Sequence, residues 1–290
     1  MSWLSCRGAI VTIATIAAFG CDVNSALVQQ AEARRMSADL HVQFSKAVDT
    51  ANRAVMADTD EASVAFANQA ELAKQGVQKD ADALAPLLRS LGYAEETTQL
   101  EAFGRGFAEY RALDHTILEL AVLNTNLKAQ RLSFGPATEA ADAFRDALEG
   151  VAPLDAAKDT WRVKALVATA VGSVREIQAL QAPHIADADH EAMTRLEKRM
   201  ATSEAAARSA LGALRPLVPA ASRSRVAAAA AALDQFMGQN VHIVELSRRN
   251  TNVRSLALSL NQKGKLISTC EDSLRALGEA LAKRGFTGTR

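Results

Sequence analysis

The chain has 290 residues, 60 of them alanine against 9 Phe, 2 Tyr and 2 Trp, with only 15 Gly and 6 Pro to make turns. Alanine favours helix and aromatic residues favour strand, so this composition excludes a β-sandwich or barrel and disfavours a doubly wound α/β fold. The 33 basic and 33 acidic residues leave no cationic field for nucleic acid, and a 49% hydrophobic content is too high for disorder.

Residues Gly8 to Gly20, GAIVTIATIAAFG, follow Arg7 and carry no charge. A membrane-spanning helix needs about 20 apolar residues, so this shorter run is expected to be the core of a signal peptide over residues 1–20. Small residues at Ala18 and Gly20 suit a signal peptidase, and Cys21 follows directly. The segment resembles a bacterial lipoprotein box, departing from it by having Ala18 and Phe19 where an aliphatic and a small residue are preferred. Three fates stay open: lipidation of Cys21, plain export, and an uncleaved anchor. The first implies a periplasmic protein held at the membrane through Cys21; the second, a soluble periplasmic or secreted one. After processing, Cys270 has only Cys21 as a potential partner, so no structural disulfide is expected if Cys21 is acylated. Cys270 then reads as a small core residue, with a dimer-linking or reactive thiol as the alternative.

The first helix is predicted from Asp22 to Ala57, with Leu27, Ala31, Ala38, Phe44, Val48, Ala51 and Val55 at helical spacing. The acidic ADTDE turn breaks it and suits the positive end of the next helix dipole. The second helix runs to Leu91, with Gly92 as C-cap. A third is predicted from Tyr93 to Ser133, on a seam of Leu113, Ile117, Leu120, Leu127 and Phe134 at alternating three- and four-residue steps, with Asn124 and Arg131 in the gaps. Gly135-Pro136 is expected to stop it before a short helix, Ala137 to Glu149, and Gly150-Val151-Ala152-Pro153 is the best domain boundary. The plan then repeats over Ala156 to Pro183, Asp189 to Val218, and Ser222 onward, the last running unbroken toward Leu281.

Three motifs recur in order. ADTDEA at 57–62 matches ADADHEA at 186–192 with one insertion; LAPLL at 84–88 matches LRPLV at 214–218; ILEL with NTN at 117–126 matches IVEL with NTN at 243–252. The offsets, 126 to 130 residues, predict a tandem duplication. Amphipathic helices of this length joined by short turns pack antiparallel. An elongated, all-α protein of two tandem up-and-down bundles is therefore expected, with repeats at 21–152 and 153–290.

The stretches ANRAVMADTDEA, LNTNLKAQRLSFGPA and SRRNTNVRSLALSL resemble the periplasmic four-helix-bundle ligand-binding domains of methyl-accepting chemotaxis receptors and related sensor kinases, once per copy. A doubled bundle also resembles the bimodular helical sensor domains that bind small organic acids. The resemblance implies an extracytoplasmic sensor for a small organic acid or amino acid, with a membrane receptor or sensor kinase as partner and a possible homodimer. The chain departs from those receptors in having no second apolar span and no cytoplasmic signalling hairpin.

Asn124 and Asn250 occupy equivalent seam positions. Either they fix helix register as a buried amide pair, or the NTN motifs, with Asn126 and Asn252, line a polar pocket. Arg131, whose counterpart is Ala257, suits a carboxylate by bidentate pairing or else reaches to solvent. Arg53 lies where the resembled receptors place ligand-binding arginines, and Arg248 and Arg249 flank the second NTN. The run PHIADADHE at 183–191 offers histidines and carboxylates, but the first copy lacks both histidines, so an acidic turn is the simpler account and no metal is assigned. No phosphate loop, nucleophile elbow, CxxC or zincin motif appears. The expectation is a non-catalytic, cofactor-free binding module that does not bind nucleic acid. The alternatives are a structural or interaction protein of the cell envelope and a remnant of a receptor.

Overall fold

The computed structural model describes the backbone of residues 17–284 and the side chains of residues 26–284. The expected signal peptide over 1–20 and the expected lipidation site, Cys21, lie outside the described side chains. Six long helices pack antiparallel: α1 (Ala17–Val55), α2 (Asp60–Ser90), a third made of α3 (Ala94–Leu123), α4 (Thr125–Leu132) and α5 (Thr138–Leu148), then α6 (Ala156–Ala186), α7 (His190–Leu214), and a sixth made of α8 (Ala220–Arg249), α9 (Thr251–Leu258) and α10 (Gly264–Lys283). No helix among the described residues is long and apolar enough to cross a membrane.

Local chemistry sets the ends. Thr59 Oγ1 accepts from the Ala62 N–H at the start of α2. The Asp155 carboxylate caps α6 through the Ala157 and Lys158 N–H groups, and Asp189 caps α7 through Glu191. Gly92, at φ +70°, closes α2. The Gly92 N–H then donates to Arg89 O and the Tyr93 N–H to Leu88 O, which satisfies the last carbonyls of the helix.

The third and sixth helices depart from expectation. Each is interrupted by an asparagine in the left-handed region, Asn124 at φ 50° and Asn250 at φ 54°. Gly135-Pro136 does not stop the third helix. Residues Ser133–Ala137 form one wide π turn, and the helix continues as α5; Ser259–Lys263 do the same in the sixth without a proline. A π turn skips the i−4 bond that proline cannot make, so Pro136 is tolerated in mid-helix. The break resets the helix phase. Phe134, a predicted seam residue, is 68% exposed, and the buried stripe passes instead through Ala129, Ser133, Ala137, Ala140, Phe144 and Leu148.

The chain divides into two compact units, each drawing on residues from both sides of Gly150–Pro153. Unit 1 comprises residues 1–51, 68–113 and 262–290; unit 2 comprises residues 52–67 and 114–261. In unit 1 the core gathers Leu40, Phe44, Val77, Leu84, Phe103, Phe107, Tyr110, Leu274 and Leu277. Phe44 meets Phe103 and Tyr110 edge-on at 5.7 and 5.4 Å, the geometry that brings ring edge to ring face. Gly106 permits close approach here, since a side chain there would meet Cys270 Sγ at 3.3 Å.

Cys270 is fully buried, and burial pushes its thiol up to about 12, with Glu109 and Glu271 adding to the shift. At pH 8 its thiolate fraction is lowered about a thousandfold against a free thiol. In a Cys6→Ser, Cys21→Ser chain the expected result is no labelling of Cys270 by an aromatic disulfide reagent until denaturant is added; stoichiometric labelling of that native chain would contradict the buried placement.

In unit 2 the core runs through Phe144, Val163, Val174, Ile177, Met200, Leu211, Leu214, Leu233, Phe236 and Ile243, from α5, α6, α7 and α8.

Candidate functional site

Where α4 and α9 restart after the asparagine breaks, their first N–H groups have no partner in their own helices. The two NTN motifs, both in unit 2, supply those partners to each other. The Thr125 N–H donates to Thr251 Oγ1 at 3.2 Å and the Thr251 N–H to Thr125 Oγ1 at 3.1 Å. The Asn126 N–H donates to Asn252 Oδ1, and the Asn252 N–H to Asn126 Oδ1, both at 3.1 Å. The side-chain amides cross as well: Asn126 Nδ2 donates to Asn250 Oδ1 and Asn252 Nδ2 to Asn124 Oδ1, both at 2.9 Å. Each motif thus caps the helix of the other. Neither Asn124 nor Asn250 caps its own helix, because the left-handed backbone of each is spent on the turn.

This reciprocity is broken at one level. On the side of the α6–α7 turn, Asn250 Nδ2 donates to Asp187 O at 2.8 Å, and Asn126 Nδ2 donates to Ile185 O at 2.6 Å. These are main-chain carbonyls at the α6–α7 turn. Among the described residues the α1–α2 turn offers no such bond to Asn124. Asn124 is 1% exposed and its Nδ2 has no partner among the described residues. The Asp58 carbonyl instead accepts from Arg131 Nη2 at 3.3 Å, and Asp60 Oδ2 faces Arg131 Nη1 at 3.4 Å.

Beside that unmatched half lies an open cavity of about 490 Å³. Val55, Met56, Ala57, Asn126, Leu127, Gln130, Ser133, Phe134, Ala182, Ile185, Ala186, Asn252, Val253 and Leu256 line it. None of these residues is charged. Asn126 and Asn252 border this cavity while also pairing across the motif; Asn124 and Asn250 are not among its lining residues. Arg131 sits outside the cavity on the α1–α2 turn. Arg53 lies over the Phe66 ring at 4.2 Å and does not line the cavity.

Two polar constellations escaped the sequence reading. Ser133 Oγ donates to Gln181 Oε1 at 2.7 Å, and Gln181 Nε2 to Asn240 Oδ1 at 2.9 Å, a buried chain behind the cavity wall. Nearby, Arg248 grips Glu197 bidentately, Nε to Oε1 at 2.6 Å and Nη2 to Oε2 at 2.9 Å. His184, fully buried, places Nε2 at 2.8 Å from Glu197 Oε1 and Nδ1 at 2.8 Å from Ser247 Oγ. Ser247 spends its own proton on the His184 carbonyl at 2.7 Å, so Nδ1 acts as donor to it. The Arg248 hydrogen bonds hold the Glu197 carboxyl below its usual range against the opposing effect of burial, and His184 adds to the lowering. Asp187 and Asp189 serve the turn: Asp187 Oδ1 accepts from the Asp189 N–H and Asp189 caps α7. Among the described residues no group of three His, Cys, Asp or Glu is placed to hold a metal ion.

A larger groove of about 900 Å³ lies in unit 1 along Arg34, Ser37 and His41 of α1 and Glu271, Asp272 and Arg275 of α10. Its charges are engaged: Arg34 donates to Leu281 O at 3.1 Å and Arg284 O at 2.9 Å, and Arg275 pairs with Asp272. It presents no buried polar atom without a partner. The NTN cavity is the better candidate because it combines apolar walls with a few amide side chains. No family model, no curated protein and no solved structure matches this chain.

Proposed function

We propose that this protein is a sensor-type binding module of the cell envelope, built by duplication of a helical bundle, that holds a small solute in the cavity beside Asn126 and Asn252. The cavity itself, with apolar walls and the Asn126 and Asn252 side chains on its border, carries this reading. Export and anchoring through Cys21, and presentation to a membrane receptor or sensor kinase, complete the proposal. They rest on the GAIVTIATIAAFGC segment and on the resemblance of the NTN stretches to chemotaxis-receptor sensor domains. The equal backbone angles at Asn124 and Asn250 and the reciprocal bonds 126 residues apart support the duplication. The role is one of binding, without catalysis, cofactor or nucleic acid.

The test is a thermal-shift screen of the full chain against organic acids, amino acids and neutral carbonyl compounds. A ligand at 100 times its Kd adds about 2.7 kcal/mol, which raises the melting temperature by roughly 5–10 °C for a chain of this size. The shift should vanish in Phe134→Asp and Leu256→Asp. Both positions are exposed rim residues, so each substitution itself costs no more than about 0.5 kcal/mol. A shift that survives both substitutions would move the site elsewhere.

The reciprocal capping favours a second reading, a structural or interaction protein in which the NTN pair only fixes helix register. Under that reading no compound shifts the melt, and self-association in sedimentation, as a homodimer for instance, replaces ligand binding as the activity.

A further inference from the structure

We propose that the end of unit 2 formed by the α5–α6 connection and the α7–α8 turn is a docking surface for an anionic lipid bilayer. The inference is independent of the cavity beside Asn126 and Asn252.

Two connections build this end. The Leu154 N–H donates to Leu217 O at 2.7 Å, and Arg225 Nη1 donates to Glu149 O at 2.7 Å, which holds residues 149–164 and 215–225 side by side. Over these two stretches six basic residues stand against three acidic ones, in a chain whose charges balance overall. Two of the acids are occupied. Asp155 accepts from the Ala157 and Lys158 N–H groups, and the buried Asp159 faces Arg162 at 3.8 Å. Lys158, Lys164, Arg215 and Arg223 are exposed and enter no ion pair among the described residues.

The fold gains little from these charges. Helix α8 opens with no acidic residue in its first turn and no side-chain cap, and it places Arg223 and Arg225 in its first two turns. Basic groups there oppose the helix dipole. The α2–α3 turn has the opposite arrangement, with Glu95 and Glu96 opening α3. Positive charge set against the dipole at the α7–α8 turn is matched only from outside the chain.

Large apolar groups stand among the charges. Trp161 is 70% exposed and Leu154 is 62% exposed. On the outer face of α6, Trp161 lies three residues from both Lys158 and Lys164, with exposed Ala157 and Ala165 a turn to either side. Helical side chains lean toward the N-terminus, which carries the indole toward Leu154 and the end of the bundle. An indole among lysines suits the bilayer interface, where its apolar body enters the acyl boundary and its N–H stays with the headgroups. Nucleic acid fits less well, because carboxylates offset half of the basic charge and an exposed leucine has no use against a phosphate backbone.

The test uses the full chain with Trp3→Phe, which leaves Trp161 as its only tryptophan. With vesicles of phosphatidylglycerol and phosphatidylcholine in roughly equal parts, Trp161 emission should move to the blue and be quenched by brominated acyl chains. Vesicles of phosphatidylcholine alone should leave it unchanged, and high salt should reverse the shift. Binding through the apolar segment 8–20 would leave Trp161 in water and so would not give this signal. Each basic group near an anionic bilayer is worth about fivefold in affinity, so Arg215→Gln with Arg223→Gln should weaken binding about 25-fold. Both side chains are exposed, so the melting temperature of that variant should match the parent chain. An unchanged Trp161 emission with both vesicles, an equal shift with neutral ones, or full binding by the double variant would overturn the proposal. Tighter binding of a duplex oligonucleotide than of anionic vesicles at the same salt would overturn it in favour of nucleic acid.

Discussion

Asn250→Leu should lower the stability of unit 2 by about 3–5 kcal/mol and its melting temperature by roughly 8–15 °C. Two costs combine. A leucine forced to φ 54° meets the carbonyl clash that makes the left-handed region unfavourable for residues with a branched or bulky side chain, worth about 1–2 kcal/mol. The rest is the amide: Asn250 donates to Asp187 O and accepts from Asn126, so its loss leaves a buried carbonyl and a buried N–H unmatched. Asn250→Gly separates the two, because glycine takes the left-handed turn freely and removes only the amide. Glycine should therefore melt between wild type and leucine. The same pair at Asn124 gives an asymmetric outcome. Asn124 makes a single side-chain bond, accepting from Asn252, so Asn124→Gly should cost about 1 kcal/mol less than Asn250→Gly. Equal costs for the two glycine variants, measured by chemical denaturation, would mean that the Asn124 amide is satisfied as well as that of Asn250. A leucine variant more stable than its glycine counterpart would contradict the left-handed backbone at that position.

Helix limits and the antiparallel plan were legible because they follow from local chemistry. Gly92, the acidic turns and the caps at Asp155 and Asp189 act within a few residues of themselves. Asn124 and Asn250 also stood out, at matching positions of an apolar seam. What periodicity does not reveal is that these asparagines end one helix and begin another. A helical seam is drawn by counting, and one left-handed residue followed by a π turn changes the count without leaving a proline or glycine as a marker at Asn250 or Ser259–Lys263. The available clue was residue type: asparagine is among the few non-glycine residues that tolerate φ near 50°. Gly135-Pro136 misled for the complementary reason, since the turn that absorbs the proline is wider than the α-helical one. The cavity could not be read in advance. Its rim residue Phe134 falls on the seam drawn by counting, and only the shifted phase after the break turns it outward. The assembly of unit 1 from both halves of the chain likewise depends on contacts between residues more than a hundred positions apart, such as Arg34 with Leu281 and Gly106 with Cys270.

The Glu197–Arg248–His184 group yields the other large effect. Arg248→Ala should destabilise unit 2 by about 2–3 kcal/mol at neutral pH, since it removes a bidentate, partly buried, charge-assisted pair and leaves the Glu197 carboxylate with His184 alone. Glu197→Gln should cost about 2 kcal/mol. The double variant should cost less than the sum of the two, because both singles break the same bonds. Acid then distinguishes the carboxylate from a merely steric role. Arg248, foremost, and then His184 hold the Glu197 carboxyl below its usual 4.5 despite burial. A group whose folded-state pKa is depressed contributes stability that is present above the unfolded value and is lost as pH falls through the folded one. The stability gap between wild type and Glu197→Gln should therefore be constant above pH about 5.5 and close steadily below pH about 4.5, where protonation deprives the wild type of its anion. Removing Arg248 should shift the onset of that loss upward in pH, towards the range of an unpaired glutamate. A gap that persists unchanged to pH 3 would show that Glu197 holds His184 and Arg248 by shape rather than by charge. In that case the grip of α7 on α6 and α8 at this end of the α6–α7 turn, and with it the placement of the Asp187 carbonyl against Asn250, would have to come from packing of Met193 and Ile243.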